Sequence, residues 1–164
     1  MSSGDTLVPY GAAAAQMLSS NSATPTPRAD TLLYAFDDTT DESIDFVCIM
    51  PRSYSGGGVT VSLVWSATTA TTGDVVWDFA FKSFSDDADD IDTKSFATAQ
   101  AVTDTTASAS GECVYSEITF TDGAQMDSTA AGEIFHVRVT RDADNVSDTM
   151  TGDAQLWGFE IRET

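Results

Sequence analysis

Alternation of apolar and polar residues with a period of two runs through most of the chain after residue 30. In VTVSLVW (59–65), positions 59, 61, 63 and 65 are apolar, while Thr60 and Ser62 lie between them. Successive side chains of a strand point to opposite faces of a sheet, so this pattern predicts half-buried β-strands. Seven such runs are present, at 31–36, 42–50, 59–65, 74–81, 113–120, 133–140 and 154–162.

Turn-forming residues separate most of these runs. SGGG at 55–58, TTG at 71–73 and DG at 122–123 are typical of tight connections between strands. Strands do not alternate with helices, and residues 92–102 are the one stretch that could form a useful helix. The chain of 164 residues suits a single domain. The pattern therefore predicts an all-β fold, an antiparallel β-sandwich or jelly roll.

Large aromatic side chains are concentrated in the predicted strands. Trp65 ends one run, and Trp77, Phe79 and Phe81 share a face of the next. This spacing predicts a sandwich interior, with a ligand platform or an interface with another copy as the alternatives. In the last run, positions 157, 159 and 161 are apolar and oppose Gly158 and Glu160, so Trp157 is also expected in the core.

Residues 1–29 differ from the domain predicted at 30–164. They hold three of the four prolines, including Pro25 and Pro27, which resist both helix and sheet. An extended N-terminal arm is predicted here, either a disordered tail or a segment that becomes ordered on a neighbouring subunit. Its sizeable apolar groups are the expected contacts with a partner: Leu7, Val8, Tyr10, Met17 and Leu18.

The chain carries 26 acidic residues against seven lysines and arginines, a formal net charge of −19. Such a field repels phosphate backbones and anionic lipid, so binding to nucleic acid or to a membrane surface is not expected. The start of the chain lacks the basic and apolar regions of a signal peptide. The expected place of synthesis is therefore the cytoplasm of a host cell, without a signal peptide.

Catalytic chemistry finds no support in the sequence. The single histidine, His136, lies in the middle of a predicted strand, and no GxSxG or cysteine signature marks a nucleophile. Paired carboxylates are inevitable among 26 acids, so they carry no specific signal for glycoside hydrolysis. We expect no enzyme, no catalytic residue and no cofactor, with His136 at a surface or an interface.

Two aspartate-rich loops, 85–96 and 141–149, offer the oxygen ligands that Ca²⁺ prefers. The first lacks the glycine and glutamate that an EF-hand loop needs at its sixth and twelfth positions. Acidic loops are commonly only solvated, so no metal ligand is assigned and Ca²⁺ binding by either loop is left open.

The two cysteines, Cys48 and Cys113, lie 65 positions apart, each in a predicted strand. This spacing fits no CxxC redox or zinc pattern. Both are expected to be buried thiols that behave as small apolar groups. A disulfide between two facing strands is the alternative.

Several stretches together resemble small β-structured virion proteins of tailed bacteriophages. The resemblance covers about residues 30–164. It rests on a proline–tyrosine–glycine loop followed by strands with tryptophan, G-x-V-V-W, F-x-V-R and D-A-x-L patterns, at 51–58, 63–67, 73–77, 135–142 and 148–156. These motifs are structural and bring no catalytic residue with them.

The resemblance implies a jelly-roll-like domain on the virion surface. The expected function is a capsid decoration (cement) subunit that binds the major capsid protein and stabilises the phage head, commonly as a homotrimer. The alternative is a tail-fibre or receptor-binding module that recognises a host surface glycan. For that module, Tyr54 and Tyr115 are the best aromatic platforms.

Overall fold

Ten β-strands and two short 3₁₀ turns, 12–14 and 124–126, form the regular structure of residues 4–164, which this computed structural model describes. The strands are β1 (Thr6–Gly11), β2 (Thr24–Arg28), β3 (Thr31–Phe36), β4 (Glu42–Ile49), β5 (Val59–Ala67), β6 (Asp74–Phe84), β7 (Gln100–Thr105), β8 (Val114–Phe120), β9 (Ile134–Arg141) and β10 (Ala154–Glu163). Seven of them coincide with the seven alternating runs.

The strands form two sheets. The six-stranded sheet has the order β2-β3-β10-β5-β8, with β1 also paired to β10; the four-stranded sheet has the order β4-β9-β6-β7. Every pairing between these strands is antiparallel. The predicted all-β, antiparallel sandwich is confirmed.

The predicted aromatic core lies between the two sheets. Trp65, Trp77, Phe79 and Phe81 are all fully buried. Trp65 packs edge-on against Trp77 at 6.0 Å between ring centroids, which joins β5 of one sheet to β6 of the other. Such edge-to-face contacts suit the quadrupoles of aromatic rings. Full burial leaves these four rings no part in a ligand platform or in a contact with another copy.

The N-terminal segment is extended, as expected, but it lies against the sandwich instead of projecting from it. β1 pairs with β10 and β2 pairs with β3, both in the six-stranded sheet. Between them, Gln16 exchanges two backbone hydrogen bonds with Asp45 of β4, at 2.7 and 3.1 Å. The segment therefore connects both sheets. Residues 1–3 of the predicted arm lie outside the described residues.

Two expectations for this segment need correction. Leu7 and Val8 were expected to contact a partner, but both are buried in the core of their own domain. Pro25 and Pro27 were expected to prevent a strand, yet both lie in β2. β2 is at the edge of its sheet, where proline is tolerated because one side of the strand needs no ladder hydrogen bonds.

The prediction of a possible helix at residues 92–102 is wrong. Its last three residues begin β7, which pairs with β6 and closes one edge of the four-stranded sheet. β7 was not predicted from the sequence, because Val102 is its one large apolar residue. A strand at an edge buries little, so its alternation is weak.

The two cysteines are free, and they lie in different environments. Cys48 is buried in β4 as expected, and burial raises the pKa of its thiol to about 12. Cys113 precedes β8 and is exposed, so the prediction of a second buried thiol was wrong. Within the described part of the chain, no helix has the length and apolar character needed to cross a membrane.

Candidate functional site

A groove of about 500 Å³ lies on the outer face of the six-stranded sheet. Its floor is formed by β5, β8 and β10, and β1 borders one side. The lining is of two kinds. Aromatic side chains come from Tyr10, Tyr115 and Trp157, and charged side chains come from Glu117, Glu160 and Arg162.

A β-bulge in β10 places Trp157 in this groove. Leu156 pairs with Trp65 of β5, but the next pair along is Gly158 with Val64, so Trp157 is an extra residue without a partner on β5. A bulge shifts the alternation of the strand by one residue. The expectation that Trp157 lies in the core is therefore wrong. Its side chain is partly exposed, and its indole nitrogen donates a hydrogen bond to Oγ of Ser66 at 2.9 Å.

Gly158 allows β1 to form the side of the groove. A Cβ atom at this position would lie 2.9 Å from Cα of Gly11 and would overlap the carbonyl oxygen of Tyr10. Any larger residue at 158 would therefore push β1 away from β10. Strand interiors that contain glycine often mark such a close backbone approach.

Tyr115 is the second aromatic residue of the groove floor, and 67% of its surface is exposed. It pairs with Val64, which in turn pairs with Gly158, the neighbour of Trp157. Two strand spacings separate β8 from β10, so the backbones carrying the two rings are about 10 Å apart. Val64 lies between them, and the three residues form an apolar strip across the groove.

Charged groups lie next to this strip. Nη2 of Arg162 is 2.5 Å from Oε1 of Glu117, and Nη1 is 3.9 Å from Oε2 of Glu160. Glu160 also accepts a hydrogen bond from the hydroxyl of Thr6. The groove thus combines flat apolar rings with hydrogen-bond donors and acceptors. Such a lining suits a ligand that has both C–H surfaces and hydroxyl groups.

Tyr54, the other aromatic platform considered from the sequence, is not available to a ligand. Its side chain is buried, and its hydroxyl donates a hydrogen bond to the carbonyl of Gly57. Burial raises the pKa of this phenol to about 12. Tyr54 therefore supports its loop and lies apart from the groove that contains Tyr115.

The residues expected to form a partner contact do not form one surface. Leu7 and Val8 are buried, Leu18 is partly exposed, and Met17 is exposed. Tyr10 lines the groove and packs on the core, with its ring centroid 6.3 Å from that of Phe46. Contacts inside the domain bury most of the apolar surface that these residues were expected to offer a partner.

The loop at 85–96 is organised by its own ion pairs. Nζ of Lys94 lies 2.9 Å from Asp89 and 3.2 Å from Asp127. A hydrogen bond from the backbone of Ser85, and a second from Lys94, lower the pKa of Asp89. These contacts account for the fold of the loop without a bound ion.

The loop at 141–149 begins with a buried ion pair. Nε and Nη2 of Arg141 lie 3.0 and 2.7 Å from the two oxygens of Asp148, and both side chains are almost completely inaccessible. Three further bonds from Arg141 go to the carbonyls of Phe36, Met150 and Gly152. Asp148, considered as a Ca²⁺ ligand, therefore holds Arg141 in place.

Three other carboxylates of this region, those of Asp41, Asp142 and Asp144, have oxygens within 4.8 Å of one another. Carboxylate oxygens in such a group are suitable ligands for a divalent cation. Asp41 and Asp142 repel the charged form of Asp144 and raise its pKa. The sequence could not connect Asp41 to this loop, because about 100 residues separate them.

His136 lies half-buried on the outer face of the four-stranded sheet, on the opposite side of the sandwich from the groove. Its ring contacts Phe84 edge-on, with centroids 5.1 Å apart. Burial lowers the pKa of His136, and the neighbouring Lys82 lowers it further. The imidazole therefore favours its neutral form.

No protein-family model and no curated protein matches the chain. Solved structures do share its fold. The K3 cleaved adhesin domain of Lys-gingipain from Porphyromonas gingivalis aligns with a TM-score of 0.53 and 14% identity over 97% of this chain and 100% of that domain.

A second similar structure is an uncharacterized protein from Listeria monocytogenes in complex with glucose, magnesium and calcium. It aligns with a TM-score of 0.55 and 12% identity over 94% of this chain, which spans 12% of the length of that protein. A third is the CBM22-1–GH10 portion of xylanase 10B from Clostridium thermocellum, in complex with xylohexaose. Its TM-score is 0.48, with 13% identity over 98% of this chain and 29% of that one.

These comparisons contradict the capsid decoration subunit expected from the sequence. The solved structures that share the fold include an adhesin domain and part of a protein in complex with glucose. Burial also takes two of the five expected contact residues out of reach of a partner. Leu7 and Val8, which were to bind the shell, are buried inside the domain.

Proposed function

We propose that this chain is a glycan-binding module whose ligand lies in the groove beside Trp157 and Tyr115. The observation that carries the proposal is the composition of that groove. The exposed ring of Tyr115 and the partly exposed ring of Trp157 lie on an open sheet face, next to two carboxylates and a guanidinium. Such rings on a folded surface are available for a ligand, whereas the aromatic residues of the core are not.

Sugar rings match this lining chemically. The C–H face of a pyranose packs on an aromatic ring, and its hydroxyls exchange hydrogen bonds with carboxylates and guanidinium groups. Tyr115 and Trp157 would supply the packing, while Glu117 and Arg162 would bind hydroxyls. The groove is largely formed before a ligand arrives, because Trp157 is held by Ser66 and Arg162 by Glu117.

Neutral glycans fit the charge of the site better than acidic ones. The chain has a net charge of −19, and the groove contains two carboxylates against one arginine. A negative field lowers the local concentration of anionic ligands and slows their association. Sulfated and uronate-rich polymers are therefore expected to bind weakly.

Binding without cleavage is the expected activity. Glycoside hydrolysis needs one carboxylic acid as a proton donor and a second carboxylate as base or nucleophile. In this groove both carboxylates lie beside Arg162, an arrangement suited to holding hydroxyls. The adhesin domain and the glucose complex among the structures of similar fold agree with a binding role.

A glycan array with neutral and acidic oligosaccharides tests the proposal. The full chain is expected to bind a subset of neutral glycans, and Tyr115→Ala is expected to lose most of that signal. Val146→Ala is the control, because Val146 is exposed in the loop after β9 and does not line the groove. Equal signals from the Tyr115→Ala variant and the unmodified chain would contradict the proposal.

A further inference from the structure

A row of apolar side chains crosses the outer face of the four-stranded sheet. Ile49 of β4 pairs with Ile134 of β9, which pairs with Phe84 of β6, so the three lie side by side. Ile49 is 63% exposed and Ile134 is 44% exposed. Large apolar side chains grouped on a surface in this way commonly mark an interaction site.

Cationic groups lie on one side of this row. Lys82 lies on this face opposite the neutral ring of His136, and Arg138 follows two residues along β9, where it forms an ion pair with Asp45 at 2.7 Å. Nζ of Lys82 lies 4.6 Å and Cζ of Arg138 lies 4.5 Å from the centroid of Phe96. Among the described residues Lys82 forms no ion pair with a carboxylate. Cations are scarce in this chain, so their grouping on one face is unusual.

Acidic groups lie on the other side of the row. Asp86 and Glu133 border the depression that also contains Ile49, Phe84 and Ile134. Along β6 and just past its end, Lys82, Phe84 and Asp86 therefore follow one another at intervals of two residues. The face has a cationic side, an apolar centre and an acidic side, in that order.

We propose that this face binds a second copy of the same chain, related by a two-fold axis. In an isologous interface the same patch is used twice, so residue i contacts j while j contacts i. A two-fold axis through the apolar row would stack the two rows. It would also place Lys82 of each copy near Asp86 of the other.

The self-complementary charge favours a second copy over an unrelated partner. Two chains with a net charge of −19 repel each other over most of their surfaces. On this face Lys82, which has no carboxylate partner among the described residues of its own chain, offsets that repulsion because it meets Asp86 of the other copy. Association here leaves the opposite sheet free, so both grooves would stay open and a dimer would be bivalent toward a polymeric ligand.

Sedimentation velocity over a range of concentrations tests the interface on the full chain. The expected species at high concentration has twice the monomer mass of 17.4 kDa. Lys82→Glu alone and Asp86→Lys alone are each expected to weaken association about tenfold or more, because like charges then face each other. The double variant Lys82→Glu/Asp86→Lys is expected to recover most of the affinity.

Ile49→Glu should also weaken association, because it puts a charge in the apolar centre. Val146→Glu is the control, since Val146 is 93% exposed in a loop after β9, at the end remote from Ile134. A melting curve for each variant excludes loss of fold as the cause. A monomer at every concentration, a trimer, or two single charge variants that associate normally would overturn the proposal.

Discussion

The indole nitrogen of Trp157 donates a hydrogen bond to the hydroxyl oxygen of Ser66, with 2.9 Å between the two atoms. The bulge in β10 turns the Trp157 ring to the outer face of the sheet, and Ser66 of β5 fixes its orientation there. A side chain that is ordered before binding loses less conformational entropy when the ligand arrives. This bond therefore connects an irregularity of the backbone to the proposed recognition of a glycan.

Substitution of Ser66 and substitution of Trp157 should both weaken glycan binding, but by different amounts. Ser66→Ala is expected to reduce affinity about fivefold, the equivalent of one hydrogen bond of about 1 kcal/mol. Trp157→Ala removes the ring and should cost about 2 kcal/mol or more, as for a central aromatic contact. Isothermal titration calorimetry with an array-positive glycan measures both. An unchanged affinity for Trp157→Ala would exclude this ring from the site.

The ion pair between Arg141 and Asp148 should be essential for stability. Removing the carboxylate in Asp148→Ala leaves a buried guanidinium without its counter-charge, which typically costs about 3–5 kcal/mol. Asp144→Asn in the same loop is the control, because Asp144 is exposed and repelled by Asp41. Thermal unfolding should show a large decrease in melting temperature for Asp148→Ala and no decrease for Asp144→Asn.

Removal of residues 4–28 should prevent the domain from folding. The deletion removes β1 and β2 and the buried side chains of Leu7 and Val8. Leu7→Ala alone should cost about 2–5 kcal/mol, the usual range for a buried leucine. Met17→Ala, at an exposed site of the same segment, should change stability by less than about 0.5 kcal/mol. A cooperative melt of the deleted chain would contradict this account.

The difference between the expected arm and the observed strands has a physical reason. Periodicity reports burial on one face, and β1 has only Leu7 and Val8 buried, which are adjacent and so give no alternation. β2 has no buried residue at all. Both strands are held mainly by backbone pairing with neighbours that the sequence does not reveal. The seven strands that hold most of the buried apolar side chains were all predicted.

Asp78 should make the protein less stable as the pH rises. Burial raises its pKa above 3.8, and the charges of Asp142 and Asp41 raise it further. The folded state therefore holds this proton more tightly than the unfolded state, and stability falls as pH rises from about 3.8 through the raised value.

The variant Asp78→Asn should therefore be more stable than the unmodified chain at pH 7. The difference should vanish below about pH 4, where the unfolded carboxyl is protonated as well. Chemical denaturation at several pH values measures this dependence. Asp92→Asn, in an exposed loop, is the control for the substitution itself. Equal stabilities at pH 7 would contradict the repulsion described for Asp78.

One thiol should react and the other should not. Cys113 is exposed, whereas Cys48 is buried with its pKa raised to about 12, so little thiolate is present there. A maleimide reagent should label the native protein once and the denatured protein twice, as mass spectrometry can count. Cys113→Ser should abolish the native labelling. Two labels on the native protein would show that β4 opens readily.

The candidate site was only partly predictable from the sequence. Tyr115 was named as an aromatic platform, and the structure places it on the outer face of β8. Trp157 was assigned to the core, because a bulge of one residue leaves no mark in an apolar run. Glu117 lies on β8, whereas Glu160 and Arg162 lie on β10. These two strands come close together only because β5 lies between them and pairs with both. Sheet order of this kind is a property of the whole fold and not of any local pattern.

The most direct test of glycan binding follows the indole N–H signals of the three tryptophans by ¹H–¹⁵N NMR during titration with an array-positive neutral glycan. Trp157 borders the groove, while Trp65 and Trp77 are buried in the core and act as internal references. The account predicts a saturable shift of the Trp157 signal, with little change in the other two. Saturable binding that leaves the Trp157 signal unmoved would contradict it.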